Sequence, residues 1–422
     1  MNPHSPLTPQ TTRRGMLGAL AAGSAGAVAA AITGAAPARE DAAHAAAPSS
    51  TPAAATSYPF EGEHQSGILE PAQRAAVFVA FTVTSADRAA LQTALQTLTS
   101  TLRYLTTGKD VPYDGLASTS YENGVLGAGT VTDGLTATVS VGASLFDGRF
   151  GLASAKPARL RPMDEFVNDA LDRSVCDGDL LLQLCADNRD TVLHALRMIM
   201  RATRADLQVL WRKEGFVPPP RPSGTPRNLL GFKDGTANRE FLNDPKLVER
   251  MVWTQGTGDE PAWTAGGSYH VVRLIRMFVE FWDRVSVTEQ QRMIGRDRQS
   301  GAPLAGSKEF DVPNYAKDPY GNVVPATAHI RLANPHDGTA DDQRMLRRSF
   351  SYSEGTDPNG QLDMGLIFVA FNQDLDRQFV TVQKRLADEP LVDYISPFGG
   401  GYFFALPGVR DANDWLGRGM FA

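Results

Sequence analysis

Residues 75–83 read AAVFVAFTV, an almost unbroken apolar run. A β-strand that is buried on both faces has this pattern, because neither of its faces needs polar side chains. Leucines then recur at spacings of four, three, four and three residues along 91–105, which marks one face of an α-helix. Gly108 follows and can end that helix in the left-handed conformation. The stretch therefore predicts a buried strand with a helix packed against it.

A similar arrangement recurs late in the chain. Residues 365–371 read GLIFVAF, Asp374 is a candidate helix cap, and apolar residues repeat the helical spacing over 375–386. The match between VFVAF at 77–81 and IFVAF at 367–371 is too short to prove a repeat. It nevertheless predicts two halves that open with the same strand–helix unit.

Other segments complete an α+β pattern, in which helices cover sheets. His194 lies off the apolar stripe of one predicted helix and is expected to face solvent. A proline-rich segment at 218–224 separates the halves, which are predicted to span 58–220 and 221–422. The further strands are predicted at 135–142, 179–186, 269–281, 327–333 and 402–406, and the further helices at 188–204 and 286–297.

The overall composition excludes several classes of protein. Of 422 residues, 42% are hydrophobic and 21% are charged, which excludes a disordered chain, a collagen and a coiled coil. Lys and Arg number 41 against 47 Asp and Glu, so the net charge is −6 and nucleic acid is not an expected partner. Beyond the leader, no apolar run reaches the length of a bilayer span, so no membrane span is expected in the mature chain.

Residues 1–47 have the order of regions of an export signal. Arg13 and Arg14 precede a weakly apolar stretch rich in Ala and Gly, which is typical of a twin-arginine signal peptide. Residues 48–57 consist largely of Pro, Ser, Thr and Ala and are expected to be a disordered linker. The export machinery of the twin-arginine route is thus an expected partner, and the mature chain is expected in the periplasm, in the cell wall or outside the cell.

The only cysteines are Cys176 and Cys185, so a cysteine-rich metal or iron–sulfur site is excluded. Cys185 lies in an apolar run, and we interpret both residues as structural thiols. A disulfide between them stays open, although nothing in the sequence favours it.

Three short motifs carry candidate chemistry. His329 and His336 flank a predicted strand and turn, Asp234 lies between glycines in GFKDGT at 231–236, and Arg347 and Arg348 are adjacent in a strand-like segment. Each has an ordinary structural reading: a core histidine, an Asp-Gly turn and a solvated strand edge. Together they fit a haem site with a histidine ligand on one face and an acid and an arginine on the other. The spacing of the residues does not by itself select haem.

Five motifs, in this order, resemble those of the dye-decolorising peroxidases, in particular the exported deferrochelatase/peroxidase-like branch. The resemblance extends from about residue 60 to the C-terminus. It implies an α+β fold of two ferredoxin-like halves, antiparallel sheets covered by helices, in the dimeric α+β barrel arrangement. It also implies one haem b per chain in the C-terminal half. The motifs are EGEHQSGI at 61–68, GFKDGT at 231–236, AHIRLANP at 328–335, RMLRRSFSY at 344–352 and VDYISPFGGGYFFALPG at 392–408.

The resemblance assigns roles to individual residues. It implies that His329 ligates the iron, that Asp234 is the distal acid/base and that Arg347 is the distal arginine. Arg347 is preferred over Arg348 because it lies 18 residues after His329, the separation expected from relatives. Asp393 is expected to bond the other ring nitrogen of His329.

The remaining implied contacts surround the haem. His336 is a departure, because many relatives are expected to have Arg there, and a histidine holds a propionate less firmly than a bidentate arginine does. The expected contacts are Gly235, Thr236 and Ala237 at the haem edge, Asn334, Pro335 and His336 on the propionate side, and Leu366 and Phe368 in the apolar distal wall.

The implied activity is a peroxidase reaction through a ferryl intermediate. Hydrogen peroxide would oxidise dyes, phenols or other small reducing substrates that give up one electron at a time. Two alternatives stay open: release of iron from haem, with an iron-uptake permease as a partner, and non-catalytic haem binding. A homo-oligomer is also compatible with the resemblance.

Overall fold

The computed structural model describes residues 57–108, 120–127 and 131–422. The signal peptide predicted at 1–47 lies outside the described residues, as does all but the last residue of the linker predicted at 48–57. Within the described ranges, no helix has both the length and the apolar character that crossing a bilayer requires.

The described residues form strands in both halves of the chain, with α-helices between them. The strands are β1 (Ala75–Val83), β2 (Thr136–Gly142), β3 (Leu180–Ala186), β4 (Leu207–Phe216), β5 (Ser268–Met277), β6 (Leu346–Arg347), β7 (Phe350–Thr356), β8 (Leu362–Asn372) and β9 (Ile395–Ala405). The α-helices are α1 (Arg88–Thr107), α2 (Arg189–Ala202), α3 (Asn238–Leu242), α4 (Pro245–Val252), α5 (Val279–Trp282), α6 (Val287–Ile294), α7 (His329–Ala333) and α8 (Thr381–Arg385).

The strands form two ferredoxin-like sheets. In the first, β1, β2, β3 and β4 pair antiparallel in the order β2-β3-β1-β4, with α1 after β1 and α2 after β3. In the second, β5, β7, β8 and β9 pair antiparallel in the equivalent order β9-β5-β8-β7. This order, in which the first and third strands lie in the centre, confirms the predicted fold class.

The two sheets are joined edge to edge into one barrel. β2 pairs with β9, and β4 pairs with β7, so each outer strand of one half meets an outer strand of the other. Phe78, Trp211, Phe371 and Phe403 belong to the core that fills the interior. The opposite face of β1 packs against the leucines of α1.

The outer face of β5 and β8 is covered by a separate group of helices. Met277 and Leu366 on this face pack with Trp282, Met293 and Leu391, which come from α5, α6 and the turn after α8. Phe232 of the GFKDGT motif and Tyr394 of the last motif belong to this layer between sheet and helices.

The first strand–helix unit is as predicted. Asp87 caps α1 by accepting a hydrogen bond from the Ala90 amide, and Gly108 ends the helix with φ +64°. The proposed equivalence of VFVAF and IFVAF is wrong, because β1 is the first strand of its half and β8 is the third. Both are central strands followed by a covering helix, so both need the same apolar run.

Three other boundaries differ from the sequence predictions. Residues 327–333 form the short helix α7 rather than a strand, and the strand predicted at 269–281 ends at Met277 before α5. The helix expected over 375–386 begins with a π-helical turn, Asp376–Val380, and continues as α8. The Asp374 carboxylate caps this segment by accepting from the amides of Asp376 and Arg377.

Cys176 and Cys185 are free, buried thiols, as predicted. Burial raises the pKa of each thiol to about 11. Both are therefore protonated and unreactive at neutral pH.

Candidate functional site

The loop at 231–236 holds Asp234 between two buried neighbours. Phe232 is 1% exposed and packs edge-on against Trp282. The Lys233 side chain is buried, donates to the carbonyl of Thr225 at 2.9 Å and pairs with Glu309 at 3.4 Å. With both neighbours fixed, the Asp234 carboxylate is left facing a cavity.

Arg347, the last residue of β6, reaches Asp234. Its Nη2 donates to Asp234 Oδ1 at 2.8 Å, and its backbone N–H donates to Asn238 Oδ1 at 3.2 Å. The Asn238 side-chain amide in turn donates to the Arg347 carbonyl. Gly235, with φ +85°, makes the turn that carries the chain from Asp234 to Asn238.

Arg348 does not bond Asp234 but forms hydrogen bonds with the segment before β1. Its guanidinium donates to the carbonyls of Glu70 and Pro71 and to the Gln73 side chain, all in the N-terminal half. Only Arg347 of the adjacent pair therefore bonds Asp234, which agrees with the preference stated from the sequence.

A cavity of about 190 Å³ adjoins the Asp234–Arg347 pair. Segments 68–72 and 216–218 of the N-terminal half form part of its wall, together with residues 225–228. Leu366 closes it from β8. The Arg347 guanidinium lies over the ring of Phe368, with 5.4 Å between the guanidinium carbon and the ring centroid. Leu366 and Phe368 thus lie beside the charged pair, and their role in the wall of a haem pocket stays a prediction.

His329 is the first residue of α7, which is held firmly although it is short. Arg331 donates to the carbonyls of Asp318 and Val324, and Arg385 of α8 donates to the Ala333 carbonyl at 2.9 Å. Gly295 lies against Ile330, where an added Cβ would be 2.6 Å from the isoleucine side chain. Contacts with residues 318–324, with Gly295 and with Arg385 therefore hold the helix that carries His329.

Glu389, and not Asp393, bonds His329. The distance between Glu389 Oε2 and His329 Nδ1 is 2.7 Å, and the glutamate side chain is 4% exposed. Asp393 lies four residues later in a 3₁₀ turn, Pro390–Tyr394, and its side chain is exposed. The expectation for Asp393 is wrong because the turn directs Glu389 toward α7 and Asp393 toward solvent.

The pKa of His329 depends on Glu389 and on the Asp234–Arg347 pair. Desolvation lowers the pKa of His329, but the Glu389 carboxylate outweighs it, and the pKa of the ring is raised above its ordinary value. Arg347 and Asp234 also act on this pKa, with opposite signs. The His329 side chain is 29% exposed.

The remaining predicted contacts lie at two chain turns. Thr236 and Ala237 follow Gly235 and lead into α3, where Ala237 is the N-terminal flanking residue. Asn334 ends α7, and its Oδ1 accepts from the His336 backbone N–H. Pro335 lies between them, and His336 is exposed with φ +50°.

Three residues of this site were not predicted. Glu389 is one of several carboxylates near α8, and its sequence position does not distinguish it from Asp388 or Asp393. Lys233 lies within the GFKDGT motif and Asn238 lies two residues after it, and only the folded loop shows that they fix Asp234 and Arg347. In the first motif, EGEHQSGI, His64 has a structural contact, because its ring stacks on Trp253 at 3.7 Å between ring centroids.

Two family models together match almost the whole described chain. Residues 65–217 match the family described as Dyp-type peroxidase, N-terminal, and residues 225–410 match Dyp-type peroxidase, C-terminal. The chain is 52% identical over 367 residues to the deferrochelatase of Escherichia coli, and the alignment covers 86% of each chain. The deferrochelatase of Shigella sonnei shows the same identity and coverage.

Solved structures give the same assignment. A DyP-type peroxidase from Cellulomonas bogoriensis is 36% identical with a TM-score of 0.77, covering 87% of this chain and 98% of its own. DtpA from Streptomyces lividans, in an oxyferrous/water mixed complex, is 34% identical with a TM-score of 0.78 and the same coverage. The chain, with its two ferredoxin-like sheets joined in one barrel, belongs to the Dyp-type peroxidase family.

Proposed function

We propose that this chain is a haem b peroxidase that reduces hydrogen peroxide with electrons from small reducing substrates, at one haem held by His329. The observation that carries the proposal is the Asp234–Arg347 ion pair at 2.8 Å, which lies close enough to His329 to act on the pKa of its ring. A carboxylate and a guanidinium are the two groups that cleavage of a peroxide bond requires.

The donor set fits haem. Since Glu389 engages Nδ1 of His329 and fixes the tautomer, the Nε2 lone pair of His329 would be available to bind a haem iron. No group of three or more His, Cys, Asp or Glu in the described ranges is arranged to hold a bare metal ion. A single well-supported histidine suits an iron whose other ligands come from a porphyrin.

The residues around the iron would each have a separate role in the reaction with peroxide. When bound, haem supplies the iron at which the oxygen–oxygen bond of peroxide breaks. Asp234 accepts the proton of the entering peroxide and returns it to the departing oxygen, which leaves as water. Arg347 orients that carboxylate through Nη2 and stabilises the negative charge that develops as the bond breaks. Leu366 and Phe368 limit the water in this space.

Two turns would hold the rim of the cofactor. Gly235, Thr236 and Ala237 lie where the backbone can approach a flat ring edge, and Gly235 has no side chain to prevent it. Asn334, Pro335 and His336 follow the ligand helix and would contact the propionates. The exposed ring of His336 offers one hydrogen bond where an arginine would offer two.

An absorption spectrum of the purified protein, before and after one equivalent of hydrogen peroxide, tests the proposal. We expect a haem Soret band that changes with peroxide and returns when a reducing substrate is added. His329→Ala should lose haem or its axial-ligand spectrum. A haem-loaded protein that does not turn over peroxide would instead support a non-catalytic haem-binding role.

A second function, release of iron from haem, is favoured by one observation. The 52% identical relatives are named deferrochelatases. An iron-uptake permease would be the partner in that role. Incubation with haem under reducing conditions, followed by analysis of porphyrin and free iron, separates the functions. Intact metal-free porphyrin supports iron release, and unchanged haem contradicts it.

We also propose export by the twin-arginine route, with the mature protein in the periplasm, in the cell wall or outside the cell. Arg13 and Arg14, followed by a stretch rich in Ala and Gly, support this. Replacing both arginines by lysine should leave the full-length protein in the cytoplasm, whereas the unmodified chain is exported and shortened. Equal export of both forms would contradict the proposal.

A further inference from the structure

A segment of the N-terminal half crosses over to the C-terminal half. This strap, residues 159–172, lies between β2 and β3 in the sequence. The backbone N–H groups of Ala170 and Asp172 donate to the carbonyls of Pro397 and Phe398, at 2.9 and 2.8 Å. The strap therefore runs beside the first residues of β9, which belong to the other half.

The strap holds the start of the segment that leads to Glu389. Arg159 pairs with Asp374 at 2.8 Å, and Arg161 pairs with Asp376 at 2.7 Å. Asp374 caps the π-helical turn before α8, and Asp376 is the first residue of that turn. Turns of this kind occur frequently at functional sites. Two ion pairs thus locate the beginning of the segment.

The same strap contacts the end of this segment. The Asn168 side-chain amide donates to the carbonyl of Ala387 at 2.6 Å. Ala387 lies in the turn after α8, two residues before the glutamate whose carboxylate is 2.7 Å from His329 Nδ1. Because a shift of this turn moves Glu389 with it, the bond from Asn168 bears directly on the contact between Glu389 and His329.

Buried contacts on both sides fix Asn168 itself. Asp169 forms an ion pair with Arg273 of β5, and both side chains are 1% exposed. Phe166 packs edge-on against Phe379 of the π-helical turn and lies 5.2 Å below the Arg273 guanidinium. Since breaking a buried ion pair is strongly destabilising, the strap gives the Asn168 amide a fixed position.

We propose that Asn168 is a positioning residue for the haem ligand. Its bond to Ala387 holds the turn after α8, so that Glu389 stays within hydrogen-bond distance of His329. The N-terminal half thereby controls how strongly the imidazole donates electrons to a bound iron. The inference rests on the proposed haem-binding function and adds a residue of the other half to it.

The contact between Glu389 and His329 is sensitive to small displacements. The two atoms are 2.7 Å apart, and N–H···O hydrogen bonds extend to about 3.2 Å. A movement of the turn by roughly 1 Å would therefore break the bond. Because the Glu389 side chain is buried, bulk water would not replace the lost contact.

Two substitutions of Asn168 test the inference. Asn168→Ala removes the amide, and Asn168→Asp keeps the volume but has no N–H to donate when it is ionised. Asn123→Ala is the matched control, because the Asn123 amide also donates to a backbone carbonyl of a distant segment, that of His194, at 3.1 Å. We expect both Asn168 variants to lose haem to excess apomyoglobin at least threefold faster, as the loss of one hydrogen bond implies. Asn123→Ala should stay within twofold.

Two further readouts separate positioning from a general loss of stability. Resonance Raman spectra of the reduced holoprotein should show a lower iron–histidine stretching frequency in the Asn168 variants, since a weaker bond to Glu389 makes the imidazole a poorer donor. In a Glu389→Ala background, Asn168→Ala should change haem release less than twofold, because the contact it positions is already gone. An unchanged frequency and release rate overturn the inference, and so does an equal effect in both backgrounds.

Amide hydrogen exchange of the haem-free protein gives a test that does not need haem. Asn168→Ala should speed exchange over residues 386–392 at least threefold and leave α1 within twofold, because the strap bond holds the turn and not that helix. Unchanged exchange over 386–392 overturns the inference. If the unmodified protein binds no haem, the proposed function fails, but hydrogen exchange still decides whether Asn168 holds the turn.

Discussion

Glu389→Gln is the substitution that tests the support of the haem ligand most directly. The side chain keeps its size and its hydrogen-bonding oxygen, but it loses the charge that lies 2.7 Å from His329 Nδ1. Asp393→Asn is the matched control, because Asp393 lies in the adjacent turn and is exposed. Any effect that is specific to Glu389 therefore reports on the contact with His329.

The expected magnitude follows from the contact. A buried hydrogen bond to a charged group contributes about 1.5–3 kcal/mol, against about 0.5–1.5 kcal/mol for a neutral one. Replacing the carboxylate by an amide should therefore cost about 1–2 kcal/mol of haem binding. At about 1.4 kcal/mol per factor of ten, this is about 5- to 30-fold in affinity. Loss of a carboxylate–histidine contact in metal sites typically has an effect of about 10- to 100-fold.

Transfer of haem to excess apomyoglobin measures the affinity, and a reductive titration measures the haem potential. Glu389→Gln should release haem faster and raise the reduction potential, since a less electron-rich imidazole stabilises ferric iron less well. Asp393→Asn should behave as the unmodified protein does. The reasoning is refuted if Asp393→Asn weakens haem binding while Glu389→Gln leaves it unchanged.

Three further predictions follow from single contacts. Asp234→Asn should slow the reaction with peroxide by about 10²- to 10⁴-fold at unchanged haem content, because it removes the acid/base. Stopped-flow spectra at several pH values measure this rate, and an unchanged rate contradicts the prediction. In the haem-free protein, the raised pKa of His329 means that the protonated ring is favoured by folding. Its stabilisation is complete below the ordinary pKa of about 6.5 and is lost as the pH rises through the folded-state pKa. Urea unfolding should accordingly show a larger deficit for Glu389→Gln at acid than at alkaline pH, and an equal deficit at both excludes the assignment. Asp87→Ala removes the bond to the Ala90 amide and should lower the free energy of unfolding by about 1 kcal/mol in the same assay, with haem affinity unaffected.

Local sequence patterns correctly predicted the strands and helices in which buried side chains recur at a regular spacing. The apolar run at 75–83 and the leucine spacing after it correspond to β1 and α1, because a central strand and its covering helix each bury one regular set of side chains. Residues 327–333 did not follow this rule. Alternating apolar and polar side chains mimic a strand there, but Arg331 and Arg385 hold the segment as a helix through contacts made elsewhere in the chain.

Contacts between distant segments could not be predicted in the same way. His194 lies off the apolar stripe of α2 and was expected to face solvent, yet it is 4% exposed because Asn123 and Glu122 cover it. The charged side chains of the site were identified from motifs. Which carboxylate supports His329 depends on the turn after α8, 60 residues along the chain, and only the fold decides it.

The closed ring of strands has a consequence for how the protein can be divided. β2 pairs with β9 and β4 pairs with β7, so a cut within 218–224 would leave one unpaired edge on both outer strands of each fragment. Unpaired strand edges are templates for aggregation. Neither ferredoxin-like half should therefore persist as a soluble fragment, although Asp234, His329, Arg347 and Glu389 all lie in the second. The smallest cooperative unit that can carry the site is the whole barrel.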